Sequence, residues 1–454
     1  MSTSSTSPLL CLSLLALTAA CGDDGGGTFV ETPESYSFES RYVDGEAAVS
    51  ISGQVFRHVL LTEMGSYIGG LTEEVDTTPP AEGDVSASLE YYFDFDSSVS
   101  GGDSLTLSTT PSSSQTTFDD ISSDKNLVDK CAGNDSVTDF KDWNSPGTMV
   151  GWDDGSPTAH TPTTLIRAWF AELDALAVAR GQGNSALDPD GNPVAEVYLN
   201  EKGHDLKQLI QKFTTGAVAY SQGMDDYLSD DVEGKGLLAA NVQDDDKPYS
   251  KLGHQWDEGF GYFGASFDYG DYDDDERAGK GGRDDYQLHH DTNGDGAIDL
   301  KGEVVRGHAV NCGKRDRDSV VETSFGDAAF DAFLEGRALI YNAGEELSAD
   351  ELDELRGYRD TIAENWEKCV AATVVHYINN SVANVESFGT EGYDYAAHAK
   401  DWSELKGFAL ILQFNPASPL HQESRFEDLH GLIGNQSVLP NDEGGQDAFD
   451  DYIA

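Results

Sequence analysis

The chain is poor in positive charge. Lys and Arg number 28 against 83 Asp and Glu, a formal net charge of −55 over 454 residues. Such a surface repels nucleic acid and anionic membranes, so neither is an expected partner. Cysteine is scarce as well: Cys11, Cys21, Cys131, Cys312 and Cys369 form no CxxC and no Cys/His spacing of a structural zinc site. GxSxG, HExxH, a phosphate loop and a dinucleotide fingerprint are all missing. Their absence removes the usual sequence support for nucleophilic, zincin-type and nucleotide chemistry. No uninterrupted apolar run reaches the roughly 18 residues that suggest a membrane-spanning helix.

What is present begins with a leader. Residues 1–20 carry no charged side chain and hold a short apolar run at 9–17. The run ends in Leu17-Thr18-Ala19-Ala20-Cys21, followed by Gly22-Asp23-Asp24-Gly25-Gly26-Gly27. This resembles a bacterial lipoprotein signal peptide with its lipobox, although no Lys or Arg precedes the apolar run. The resemblance implies cleavage before Cys21 and lipidation of Cys21 with fatty acyl chains such as palmitate. Residues 21–34 then become a lipidated tether, and the protein is anchored in the outer membrane or at the cell surface. An ordinary secretory signal is the alternative. The bulk acidity has two explanations that stay side by side: a taste for cations, and the carboxylate-rich surface of a salt-adapted organism. Of the three cysteines beyond the leader, Cys131, Cys312 and Cys369, two at most pair and one is left over.

Residues 35–440 read as a mainly α domain, a helical bundle with a short β element near its start, and residues 441–454 as an acidic tail. Tyr36, Phe38, Ala48, Val49 and Ile51 alternate with polar residues and predict one or two short strands. Segment 89–95 fits either strand or helix. Apolar spacing predicts helices over 53–70, 163–180, 204–228, 327–341, about 348–383, 393–414 and 426–433. Segment 97–155 turns to Ser, Thr, Asp and Gly and reads as a loop-rich insertion, with Trp143 and Trp152 as pins to the body. No βαβ alternation appears.

Segment 248–303 concentrates the candidate metal ligands. Pro248 suits the first turn of a helix, with Asp244, Asp245 and Asp246 as caps. In that helix His254, Asp257 and Glu258 stand at i, i+3 and i+4 on one face, opposite Leu252, Trp256 and Phe263. One reading has the His/Asp/Glu face solvated. The other has it covered and holding iron, zinc or a similar cation. Gly253, Gly259, Gly261 and Gly264 weaken a helix and suit close backbone approach. His376 and His398, on later helices, are secondary candidates to complete such a site. Farther on, Asp291, Asn293 and Asp295 alternate as oxygen ligands, Gly296 makes the turn, Ala297 offers its carbonyl and Asp299 sits ninth. This is the calcium-loop spacing. The twelfth position is Gly302 and the acid follows at Glu303. The surrounding 265–320 region is therefore expected to be a structural calcium-loop insertion.

At these residues the chain resembles an uncharacterised family of bacterial surface lipoproteins, domain of unknown function 4856. The matching pieces are Tyr36-Ser37-Phe38, Ser52-Gly53-Gln54, His254-Gln255-Trp256-Asp257-Glu258 and Gly261-Tyr262-Phe263-Gly264. Asn293-Gly294-Asp295-Gly296, Ile298-Asp299-Leu300-Lys301 and Gly307-His308-Ala309-Val310-Asn311 with Lys314-Arg315-Asp316 follow. The last are His376-Tyr377-Ile378-Asn379, Trp402-Ser403-Glu404-Leu405-Lys406-Gly407-Phe408 and Leu412-Gln413-Phe414-Asn415-Pro416. That family is similar, more distantly, to the imelysin-like proteins, exported helical bundles linked to iron uptake, some once described as peptidases. Their mark is GxHxxE. Here His254 matches the histidine, Asp257 takes the place of the glutamate with Glu258 beside it, and Leu252 replaces the glycine.

The expectation is a non-enzymatic, membrane-anchored metal-binding lipoprotein in cation acquisition, iron first. It would sit in the bilayer through Cys21 and work beside an outer-membrane transporter or another surface protein. Two alternatives stand: an imelysin-type metallopeptidase with Glu258 as general base on a metal-bound water, and a calcium-stabilised surface scaffold.

Overall fold

In the computed structural model, residues 29–135, 140–317 and 319–442 are described. The leader, Cys21 and most of the acidic tail lie outside them. Thirteen α-helices run through the described residues: α1 Ser52–Thr77, α2 Asp84–Phe93, α3 Ser97–Ser100, α4 Phe118–Ile121, α5 Pro162–Gly181, α6 Leu206–Thr215, α7 Lys251–Phe263, α8 Asp274–Ala278, α9 Gly307–Asp316, α10 Phe325–Asn342, α11 Ala349–Glu386, α12 Tyr395–Ile411 and α13 Arg425–Ile433. None is long and apolar enough to cross a membrane.

The helices start where local chemistry places caps. Thr161 caps α5 ahead of Pro162, and Ser348 caps α11 in a reciprocal box with Glu351. The long α11 packs between α10 and α12; α12 packs on α6, which leans on α1 and α5. Trp256, Trp366, Trp402, Phe56 and Tyr220 are fully buried in a single large core. A disulfide, Cys312–Cys369, joins α9 to α11, and Cys131 remains a buried free thiol.

Two expectations change. The N-terminal β element is one isolated bridge, Glu39 to Ala47, and no strand forms among the described residues. Tyr36 and Phe38 alternate because each enters the bundle core, not because they line a sheet; the Tyr36 N–H donates to the Phe267 carbonyl. The helix expected over 204–228 begins at Leu206 and widens after Thr215 into π-type turns, 216–220 and 222–227. At Gly216 and Gly223 a Cβ would fall 2.2 Å from Ile411 and 2.7 Å from Trp366, so the widened turns lie where α12 and α11 press closest. Within segment 29–34 the chain already touches the bundle. The Val30 N–H donates to Asn342 Oδ1 and its carbonyl accepts from Asn342 Nδ2 at the end of α10.

Among the described residues of segment 97–155, α3 and α4 are single turns. Trp143 is buried against Phe414 and half-buried Trp152 packs on Trp169, so both indoles act as pins.

Candidate metal centres

Helix α7 begins at Lys251, one turn later than Pro248 suggests. Ser250 is its N-cap, accepting from the Gly253 N–H, and Asp244 instead shapes a turn with Lys247 and Tyr249. Leu252, Trp256, Phe260 and Phe263 point into the core, and Trp256 Nε1 donates to the Phe333 carbonyl at 2.9 Å. The helix glycines answer to close contact. A Cβ on Gly261 would lie 2.9 Å from Gln54 on α1, and one on Gly259 3.0 Å from Leu228.

The opposite face splits. Asp257 is 0% exposed, and its Oδ1 accepts from Arg337 Nε and from the Tyr36 hydroxyl, both at 2.8 Å. Arg337 in turn reaches the Ala48 carbonyl and lies over Phe38, while Tyr36 stacks on Phe260 with 3.7 Å between ring centroids. Burial pushes the Asp257 carboxyl up, and Arg337 opposes that push. Asp257 Oδ1 thus serves as the counter-ion of Arg337, while its Oδ2 is buried without a partner.

His254 and Glu258 remain. His254 Nε2 stands 3.9 Å from Glu258 Oε2, the imidazole stacks on Tyr249 at 4.2 Å, and its Nδ1 is buried without a partner. Glu258 Oε1 accepts from Gln54 Nε2 at 2.8 Å. Neither secondary histidine joins them. His398 is buried, with Ser437 at Nε2 (2.5 Å) and Tyr393 at Nδ1 (3.2 Å), so both nitrogens are engaged in holding α12. His376 is exposed on α11 beside Asn380. Among the described residues no group of three or more His, Cys, Asp or Glu side chains is placed to hold a metal ion.

A calcium ring would draw on an amide oxygen and a main-chain carbonyl as well as carboxylates, and the Asp291 loop offers that mix of groups. Its base is closed by an antiparallel bridge between His289 and Val304. Asp291 accepts from the N–H groups of Asp295 (3.1 Å) and Gly296 (2.8 Å), Asn293 from Asp295 (2.8 Å), and Asp295 from Ala297 (2.9 Å). Gly294 and Gly296 take the left-handed φ values of 71° and 89° that these turns require.

Glu303 folds back across the loop. Its Oε1 accepts from Thr292 and Asn293, and its Oε2 from Asp299 at 2.8 Å. Burial raises its carboxyl, offset in part by those three N–H groups. The displacement of the acid by one position has a packing cause. A Cβ at Gly302 would lie 2.7 Å from the Phe267 ring, so no side chain fits at the twelfth place.

The partner of this loop was not legible in the sequence. Ile298 forms a parallel bridge to Ser113 of the insertion, with Ser114 N–H donating to the Ile298 carbonyl at 2.9 Å. Gln115 clamps the same place, donating to Asp299 Oδ1 and accepting from the Leu300 N–H. Arg337 and Ser113 to Gln115 carried no signal of their own, whereas Tyr36 and Gln54 stand within motif pieces.

No curated protein and no solved structure matches the chain. The family model described as "Domain of unknown function (DUF4856)" matches residues 164–275, a span that contains α6 and α7 with His254, Asp257 and Glu258, and over that segment the chain is similar to this family.

Proposed function

We propose that the protein is a lipid-anchored, extracytoplasmic cation-binding lipoprotein, an imelysin-like bundle without a catalytic step of its own, whose Asp291 loop holds calcium. The observation that carries the reading is the bonding of that loop. Asp291, Asn293 and Asp295 each accept from N–H groups two to five residues onward, and Glu303 crosses to the other limb. This is how alternating oxygens are oriented in a calcium loop, with Ala297 supplying its carbonyl and Asp299 the ninth position. Calcium there would stiffen the junction with the insertion through Ile298, Asp299 and Gln115.

The Cys312–Cys369 bond supports export, since structural disulfides belong to oxidising compartments. The acidic surface would gather cations near a transporter or other surface partner. Capture of iron or zinc falls to His254 and Glu258, with Asp257 engaged elsewhere. A metallopeptidase would need Glu258 as a general base, and Gln54 already holds one of its oxygens.

Calorimetric titration of the mature chain with calcium tests the loop. Saturable binding, lost in Asp291→Ala and weakened in Glu303→Gln, is expected. Equal heats from all three proteins would remove the assignment. Ferric, ferrous and zinc titrations beside His254→Ala test the second site, where equal binding by both proteins counts against it.

A further inference from the structure

In a chain with 83 acidic and 28 basic residues, one cavity has the opposite character. It measures about 440 Å³ and lies between α1, α6 and α9, walled by the flanks of the Asp291 loop and by residues 107–109 of the insertion. Lys212, Arg306, Lys314, His58, His289 and His308 line it, and none of its described lining residues is acidic. The counter-charges stand behind the wall. Glu404 on α12 lies 3.9 Å from Lys212 and also acts on Lys314 and Arg315, and Asp299 acts on Arg306.

Part of the donor set has no partner within the protein. Helix α9 opens onto the cavity at Gly307 and His308; its N-cap residue, Arg306, gives no side-chain cap, and its first turn has no acid. The first-turn N–H groups and the helix dipole therefore favour an anion there. His308 is 1% exposed, and neither of its ring nitrogens has a hydrogen-bond partner. Arg306 NH2 is likewise buried and unpartnered. Unsatisfied buried donors of this kind are costly unless something meets them. The backbone holding them is tightly fixed: Arg306 N–H donates to the Gly264 carbonyl at the end of α7, and Gly307, at φ 54°, leaves no room for a Cβ beside His58. Leu61, Leu107, Leu288 and Phe408 make the rest of the wall apolar, and exposed Thr62 and Ser108 mark the side open to water.

We infer that this cavity binds an organic anion, with an oxyanion head, carboxylate or phosphate, at the N-terminus of α9 between Arg306, Lys314 and His308, and an apolar body against Leu61, Leu107, Leu288 and Phe408. The cavity has the size of a small-molecule site and the mix of apolar wall and few convergent polar groups that such sites show. It shares the flanks of the Asp291 loop as wall but uses none of that loop's oxygen ligands and neither His254 nor Glu258. It gives a role to Gly307-His308-Ala309-Val310-Asn311 and Lys314, which the cation-binding reading leaves idle.

Octanoate, octyl phosphate, inorganic phosphate and neutral octanol are titrated calorimetrically into the mature chain, into Arg306→Gln and into Lys314→Gln. Saturable binding of octanoate or octyl phosphate, weakened about tenfold or more in each folded variant, is the expected result. The tighter of the two names the head group, and weaker inorganic phosphate shows that the apolar wall contributes. If Arg306→Gln does not fold, Lys314→Gln decides. Absence of saturable binding by both amphiphilic anions, equal binding of octanol, or unchanged affinity in the folded variants overturns the inference.

Discussion

Arg337 on α10 and Asp257 on α7 meet at 2.8 Å, with side chains 3% and 0% exposed. The pair fixes α7 to α10 from inside, and Tyr36 closes it from the N-terminal segment. Removing one partner leaves the other charge buried and alone. Asp257→Ala is therefore expected to cost about 3–5 kcal/mol of stability. Denaturant unfolding measures it, and a loss under about 1 kcal/mol would mean that the pair behaves as an exposed one. Metal titrations of the folded fraction should not change.

Calcium should hold the insertion in place. At a free concentration 100 times its dissociation constant, calcium would add about 2.7 kcal/mol to stability. Chelation, or Glu303→Gln, should remove that increment and speed proteolytic cleavage near Ser112 to Gln115, the segment bridged to Ile298. Cleavage indifferent to calcium would uncouple the loop from the insertion.

Reduction should loosen the bundle. The Cys312–Cys369 bond closes a segment with a sequence separation of 57. On the chain-entropy account it contributes about 4 kcal/mol. Unfolding with and without reductant, or with Cys312→Ser and Cys369→Ser together, reads the difference. Coincident curves would mean that α9 and α11 hold each other by packing alone.

Two histidines should set an acid-side loss of stability. Burial holds His58 down to about 4 and His308 down to about 3, helped by Arg306 beside His58 and by His58 and Lys212 beside His308. Above the ordinary value of 6.5 both are neutral, folded or unfolded, and contribute no pH dependence. Below it the unfolded chain takes up protons that the folded chain refuses. Each then removes up to about 1.4 kcal/mol per pH unit until the folded value is reached. A His58→Phe, His308→Phe double variant should show a shallower fall in stability between pH 6 and 4 than the parent. If the double variant does not fold, NMR titration of the parent imidazoles reads the same quantity. Parallel slopes, or ordinary imidazole titration near 6.5, would contradict the burial.

The helices were legible because their apolar stripes are local: Leu165, Trp169 and Leu173 recur at helix spacing and are buried together. The calcium-loop spacing was legible for the same reason. What escaped was everything set by a distant partner. Helical spacing correctly put Asp257 opposite Trp256, but the partner that claims it, Arg337, lies 80 residues away. The acid's shift from 302 to 303 answers to Phe267, and the β-bridge at Ile298 answers to Ser113. Tyr36 and Phe38 alternate like a strand, yet each is buried by its own set of rings. The basic cavity was the least visible feature, because its cations come one or two at a time from well-separated segments.

The bond between α9 and α11 ties the basic cavity to the long helix on the other side of the core. Cys312 sits one and a half turns along from Gly307 on the helix whose first turn faces the basic cavity. A reduced chain has no covalent hold on that helix. Any shift of α11 is thus passed covalently to the helix whose first turn lines the cavity, and the wall moves with the bundle's longest helix.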